Sequence, residues 1–253
     1  MSVTGIVVAL SYEAQCLGAM SRRSDGLLTL TAAPEGATLV KISGMGRDRA
    51  TRAARELVDA GAEALLSWGT AGALDPALTE GTVLLATEVM SHDERSGLET
   101  HFGTALPWRK RLKDALAVHG RTIEGTLLTA AALIATAESK ARLFRRTGAV
   151  AVDMESAAVA EVAAAAALPF MVIRVIVDTA QDTLPDALVQ MIDAELRGER
   201  RRSRLVLPLL RAPAQWRQLA RLVRQSRSAG RSLRSCARVA LAAAPASLWE
   251  ADA

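Results

Sequence analysis

The chain has 253 residues, half of them hydrophobic, only 2 cysteines and a net charge of +4. That is enough apolar material for one substantial core without staples. Cys16 and Cys236 lie far apart in sequence, so they offer neither a disulfide framework nor a zinc site and suit a reducing compartment. The opening segment MSVTGIVVAL lacks a basic leader, and no apolar run reaches the roughly 20 residues of a membrane span, so a cytoplasmic protein is expected.

In chain order, short β-branched or leucine-rich runs alternate with helical stretches. Gly5–Leu10, Thr38–Ile42, Ala64–Trp68, Thr82–Val89, Thr122–Thr129, Ala149–Val152 and Phe170–Val177 read as strands. Arg47–Ala60, Leu106–Val118, Glu138–Arg146, Glu155–Ala166 and Ala187–Arg197 read as helices. The alternation predicts a single α/β domain with a mostly parallel, twisted mixed sheet flanked by helices. In such sheets ligands bind beyond the carboxyl ends of the strands. Five predicted strand ends run directly into polar, acidic or glycine-rich residues: Ser11-Tyr12-Glu13, Ser43-Gly44-Met45-Gly46, Gly69-Thr70-Ala71-Gly72, Asp153-Met154-Glu155 and Asp178.

Each motif also has a plain structural explanation. Glu155, at the start of an alanine-rich helix, could be a first-turn acid facing the helix dipole. The GTAG stretch reads as a tight turn whose amides and hydroxyl suit an anion, a ribose hydroxyl or a water. Arg174 inside the apolar run RVIVD is costly to bury alone and implies a nearby carboxylate. His92, His101 and His119 have no partners at metal spacing and read as loop residues, so no metal site is expected.

Beyond residue 196 the character changes. From Arg197 to Arg238 there are thirteen arginines against one acid, Glu199, behind a body richer in acids than bases. The expected division is a catalytic domain over 1–196 and a basic, amphipathic helical extension over 197–253. Trp216, Leu219, Ala220 and Val223 share one helical face. That face either covers the protein's own sheet or a subunit interface, or settles on an anionic membrane through residues 203–241, in which case the protein is peripheral at the inner face of the membrane. Nucleic acid is not an expected partner, because the arginine-rich part of the tail has one aromatic residue and no recognition motif.

ALSYEA, the GTAG stretch, VDMES and RVIVD, in this chain order, resemble the nucleoside phosphorylase and nucleosidase superfamily across roughly residues 5–180. The resemblance implies cleavage of a purine N-glycosidic bond without a cofactor. It makes Glu13 the acid that positions a nucleophilic water, and places Gly69 and Thr70 in the substrate-binding turn. It puts Met154 and Glu155 on the ribose, Asp178 at the purine N7 with Arg174 supporting it, and Leu133 and Ile134 along the purine pocket. Chemistry asks for the same roles. Adenine is a poor leaving group as an anion, so an acid must protonate it as the bond stretches. A carboxylate beside the sugar stabilises its cationic transition state. Ser67, where phosphorylases often carry an arginine, favours water over phosphate, which stays a candidate co-substrate through Arg47 or Arg49. The link Asp182–Pro185 and the tail LLRAPAQWRQLARL resemble the hopanoid-associated nucleoside phosphorylases, implying adenosylhopane as substrate and a role in bacteriohopanepolyol biosynthesis. The alternatives are a methylthioadenosine/S-adenosylhomocysteine-type nucleosidase, or a non-catalytic module that binds membrane or nucleic acid. The expected partners are a purine nucleoside with a hydrophobic 5′ substituent and a second copy of the chain in a homodimer.

Overall fold

The predicted strands and helices appear in a computed structural model that describes residues 2–31, 38–92, 99–118, 120–197 and 213–243. In chain order they are β1 (Thr4–Val8), α1 (Ser11–Leu17), β2 (Met20–Arg22), β3 (Leu28–Leu30), β4 (Thr38–Ile42), α2 (Arg47–Asp59), β5 (Ala64–Ala73), β6 (Val83–His92) and β7 (Glu99–Gly103). There follow α3 (Leu106–Leu116), β8 (Thr122–Thr129), α4 (Ala137–Thr147), β9 (Ala151–Asp153), α5 (Ser156–Ala165), β10 (Phe170–Asp178), α6 (Asp186–Leu196) and α7 (Pro213–Ala242). The elements α1, β2, β3 and β7 have no counterpart in the sequence reading. The β2–β3 hairpin is short and largely exposed, so it lacks the apolar alternation that marks a half-buried strand.

All the strands join one mixed sheet in the order β10-β6-β8-β9-β5-β1-β4-β3-β2, with β7 on β6. Strand β10 also pairs with β5, so β10, β6, β8, β9 and β5 close on themselves while β1, β4, β3 and β2 extend as a wing. The parallel partners of β1 are β4 and β5, and β5 is parallel to β10. Antiparallel pairing joins β5 to β9 and β6 to β10. The GTAG segment is not the expected turn: β5 continues through it, with Gly69–Ala71 paired to Arg174–Ile176 and Gly72-Ala73 to β9. An apolar strand here runs on into small residues because β10 pairs with the whole segment and β9 takes up its last two residues. His92 and His101 likewise lie in strands β6 and β7, facing Glu99 and Glu88, while His119 is outside the described residues.

Helices pack on both faces. On one side, α2 and α5 meet through alanines such as Ala50, Ala53, Ala54, Ala157 and Ala160, all buried. Small side chains allow this close approach. At Gly5 of β1 a Cβ would lie 2.9 Å from that of Ala62. On the other side, Trp68 and Trp108 share a cluster with Ala229, Leu233, Cys236, Ala237 and Ala240 of α7. The second half of that helix therefore covers the protein's own sheet, α1 and α3, which is one of the two roles the sequence allowed for the tail. Its opposite face carries Arg224, Arg227, Arg231, Arg234 and Arg238, all exposed. Residues 203–212 and the side chains of the Trp216, Leu219, Ala220 and Val223 face lie outside the described residues. Among the described residues no helix is long and apolar enough to cross a membrane.

The packing predicts that Leu233→Ala lowers unfolding stability by about 2–5 kcal/mol, the cost of a core cavity. Arg231→Ala, two residues away on the exposed face, should change it by less than about 0.5 kcal/mol. Denaturant midpoints of the two variants check this. Equal midpoints would mean that α7 is not part of the core.

Candidate active site

Strand β5 changes neighbours along one edge: its pairing with β1 ends at Trp68 and its pairing with β9 begins at Gly72. The backbone between them needs another acceptor, and Glu13 of α1 supplies it. Its Oε1 accepts from Thr70 N at 2.8 Å and from Thr70 Oγ1 at 2.7 Å, while Oε2 accepts from Leu10 N at 3.1 Å. Gly69 makes room for the carboxylate, because a Cβ there would lie 3.0 Å from both oxygens. Burial pushes the Glu13 carboxyl above its ordinary range, against the Thr70 hydrogen bonds and the more distant Arg174.

Behind this lies a buried charge pair. Arg174 of β10 donates to Asp153 Oδ2 through Nε at 3.0 Å and Nη2 at 2.8 Å, and Nη2 also reaches Ser67 Oγ at 2.7 Å and Ser156 Oγ at 2.9 Å. Asp153 further accepts from Thr129 Oγ1 at 2.7 Å and from Ser156 N. The carboxylate that buried Arg174 requires is therefore Asp153. This corrects the expected support of Asp178 by Arg174, because the Arg174 donors on this side are taken by Asp153 and the two serines. Two residues on, Glu155 stands at the N-cap of α5 and accepts from Gly46 N at 2.7 Å through Oε1. Burial, reinforced by the neighbouring charge of Asp153, raises its pKa to about 7.

At the end of β10, Asp178 is buried against Gly72, where a Cβ would lie 3.1 Å from Oδ2. Its cation is Lys140 of α4, fully buried, whose Nζ donates to Asp178 Oδ2, to Thr179 O at 2.8 Å and to Asp182 O at 3.1 Å. Burial raises the Asp178 carboxyl and Lys140 opposes the rise. Sequence reasoning did not single out Lys140. A signal was there: Lys140, Leu143, Phe144 and Thr147 lie at i, i+3, i+4 and i+7, so this lysine sits on the inward stripe of its helix.

The structure thus brings Glu13, Gly69, Thr70, Glu155, Arg174 and Asp178 together around β5 and its neighbours. Met154, Leu133 and Ile134 are partly buried, Met154 between Asp153 and Glu155 and the other two in the loop between β8 and α4. That loop is tied to the segment after β10 by Leu184 N to Ala135 O at 2.8 Å. The basic residues beside the Gly44–Gly46 loop have partners: Arg47 pairs with Glu161 at 2.7 Å, and Arg49 donates to Glu195 O at 2.8 Å. Among the described residues no group of three or more His, Cys, Asp or Glu is placed to hold a metal ion.

Two stability predictions follow from the buried groups. Asp153→Asn leaves Arg174 without its counter-charge and should cost about 3–5 kcal/mol of unfolding free energy. For Glu155 the folded pKa, about 7, lies above the ordinary 4.5, so its contribution to stability is greatest below pH 4.5 and declines as pH rises to about 7. The stability of Glu155→Gln relative to wild type should accordingly rise between pH 4.5 and 7 and level off above. A flat difference across that window would mean that burial does not hold the Glu155 proton.

Comparison with known proteins bears on the family and the fold. The model of the phosphorylase superfamily matches residues 6–211. A 5'-methylthioadenosine/S-adenosylhomocysteine nucleosidase of Treponema pallidum (strain Nichols) is 27% identical over 247 residues, covering 81% of this chain and 91% of that protein. One from Anoxybacillus flavithermus is 33% identical over 165 residues, covering 58% and 70%. In three dimensions, the nucleosidase of that name from Neisseria meningitidis, in complex with methylthio-immucillin-A, superposes with a TM-score of 0.70 at 18% identity, covering 96% and 99%. Futalosine hydrolase of Helicobacter pylori superposes at 0.68 and 19% identity, covering 94% and 97%. With the family model matching most of its length and its fold shared by these proteins, the chain belongs to the phosphorylase superfamily.

Proposed function

We propose that this enzyme, which cleaves the N-glycosidic bond of purine nucleosides, is a hydrolase of 5′-substituted adenosines of the methylthioadenosine and S-adenosylhomocysteine type. The observation that carries the choice of water is the seat of Glu13. Its carboxylate occupies the amide and hydroxyl of Thr70, donors that a phosphate ion would otherwise take. Arg47 and Arg49 are both engaged with the protein itself, and Ser67 is bound to Arg174.

In this reading Glu13 accepts a proton from the attacking water, helped by the burial that raises its basicity. Glu155, held through Oε1 by Gly46, offers Oε2 to the ribose hydroxyls and stabilises the cationic sugar in its ionised form. Asp178 delivers a proton to the departing adenine. Gly69, Thr70 and Met154 border the sugar, and Leu133 and Ile134 border the base. An apolar 5′ group is supported by α6, whose Leu188, Val189 and Ile192 are only partly buried and whose Met191 is 44% exposed. The end of this helix sits on the loop that holds Glu155: a Cβ at Gly46 would lie 2.8 Å from Leu196 Cδ2. The relatives' names favour this substrate class over adenosylhopane, which rested on the linker and tail alone.

Wild-type protein in phosphate-free buffer should release adenine and free 5′-substituted ribose from methylthioadenosine, and Glu13→Gln should lower turnover by on the order of 100-fold or more. Dependence on added phosphate, with a ribosyl 1-phosphate as product, would make the enzyme a phosphorylase. A kcat/KM for adenosylhopane exceeding that for methylthioadenosine would reverse the substrate assignment. The kcat/KM profile should rise through a pKa near 7 as Glu155 ionises, and Glu155→Gln should lose that limb.

The exposed arginines of α7 support a further part of this reading, a peripheral contact with an anionic lipid surface. Binding to anionic vesicles should weaken with salt and fall when Arg224, Arg227 and Arg231 are changed together to Gln. Unchanged binding in that variant would remove the contact.

A further inference from the structure

Among the described residues, Lys140 is the one lysine or arginine side chain that meets Asp178, and three acceptors surround its nitrogen. An ammonium group has three N–H donors, and Nζ faces three acceptors: Asp178 Oδ2, the carbonyl of Thr179 and the carbonyl of Asp182. The cage is itself held from outside. Asp182 Oδ2 accepts from Thr179 N at 2.9 Å and Thr179 Oγ1 at 2.8 Å, closing the turn that presents both carbonyls. From α7, Gln225 Nε2 reaches the same oxygen at 3.0 Å and Arg221 pairs with Oδ1 at 2.9 Å. The charged groups facing Asp178 are therefore Lys140 from α4 and Asp182 from the following turn, the latter partly neutralised by Arg221.

We propose that Lys140 is a positioning residue that makes Asp178 an effective acid for the leaving base, by placing a fixed positive charge against the carboxylate that remains when the proton departs. The inference rests on the hydrolytic reading above. As the C1′–N9 bond breaks, its electron pair passes to the purine, and the Asp178 O–H bond breaks with its proton going to N7 and its pair staying on the carboxyl. The attacking water gives hydroxide to C1′ and its proton to Glu13, and that proton returns through solvent to Asp178 to complete the cycle. With Oδ2 bound to Lys140, Oδ1 is the oxygen left to carry the transferred proton. Negative charge then grows on Asp178 in the transition state, where a desolvated cation at hydrogen-bond distance stabilises it more than it stabilises the neutral acid. Alone, burial would make Asp178 a reluctant donor, and Lys140 offsets this. The geometry thus couples the C-terminal helix, through Asp182, to the group that expels the base.

The test compares two substrates in wild type, Lys140→Met and Lys140→Gln: methylthioadenosine, whose base needs a proton, and 4-nitrophenyl riboside, whose phenolate leaves as a stable anion. Lys140→Gln keeps two donors for the cage and serves if Lys140→Met does not fold. On methylthioadenosine kcat should fall on the order of 100-fold with little change in KM. The alkaline limb of the profile should move to higher pH, because Asp178 holds its proton longer without the cation. On 4-nitrophenyl riboside the variants should stay within a few-fold of wild type, and Lys140→Arg should restore the position of the alkaline limb. Equal losses on both substrates, or an unmoved limb, would reduce Lys140 to a structural ion pair and overturn the inference. A wild-type enzyme that cleaves no purine nucleoside would instead remove the hydrolytic reading, and the inference with it.

Discussion

Three neighbours compete for strand β5, and the way it serves them shapes the rest of the molecule. One edge belongs throughout to β10, and the other passes from β1 to β9 with an interval between them. Buried amides without partners are costly, so the interval must be filled by something other than a strand. Glu13 fills it. Because the acceptor there is a carboxylate on a short helix, the backbone requirement of the sheet and the placement of a buried acid are met by one side chain. Gly69 belongs to the same solution, since any Cβ at that position would press on the carboxylate.

The buried charges around this interval follow a common rule with different outcomes. Arg174 and Asp153 satisfy each other and their serine and threonine neighbours so fully that they form a rigid floor under the strand ends. Glu155 has a backbone amide but no cation of its own, and its pKa rises to about 7. Asp178 has a cation, and its carboxyl is pulled down by Lys140 and up by burial. Glu155 and Asp178, on adjacent elements, thus acquire different characters from their partners alone.

The C-terminal helix takes part in this economy of charge. Its apolar stripe completes the core beneath β1 and β10, and its polar positions Arg221 and Gln225 hold the turn after β10. The arginine count that dominates the tail in sequence divides accordingly. Arg221 is tied to Asp182, while Arg224, Arg227, Arg231, Arg234 and Arg238 line the solvent face. A helix of this kind serves its own domain whether or not its outer face meets another surface.

By itself the sequence determined the alternation of strands and helices, the acids at the strand ends and the superfamily pattern that links ALSYEA, GTAG, VDMES and RVIVD, because these are local features: apolar periodicity, composition and spacing. It also required that Arg174 have a carboxylate, since a buried guanidinium cannot stand alone. Which carboxylate answered was decided only by the tertiary structure. Asp153 and Asp178 both lie within about two dozen residues of Arg174 or closer, and side-chain direction along paired strands, which no spacing reports, gave Asp153 to the arginine and Asp178 to Lys140. The extension of β5 through GTAG was likewise hidden, because glycines that look like a turn in one dimension are strand residues when β10 on one edge, and Glu13 and β9 on the other, supply their hydrogen bonds. Lys140 was passed over for the opposite reason. A lysine in a helix rich in cations reads as solvated, although its spacing from Leu143, Phe144 and Thr147 puts it on the inward stripe, and the tertiary structure decided that this stripe meets Asp178.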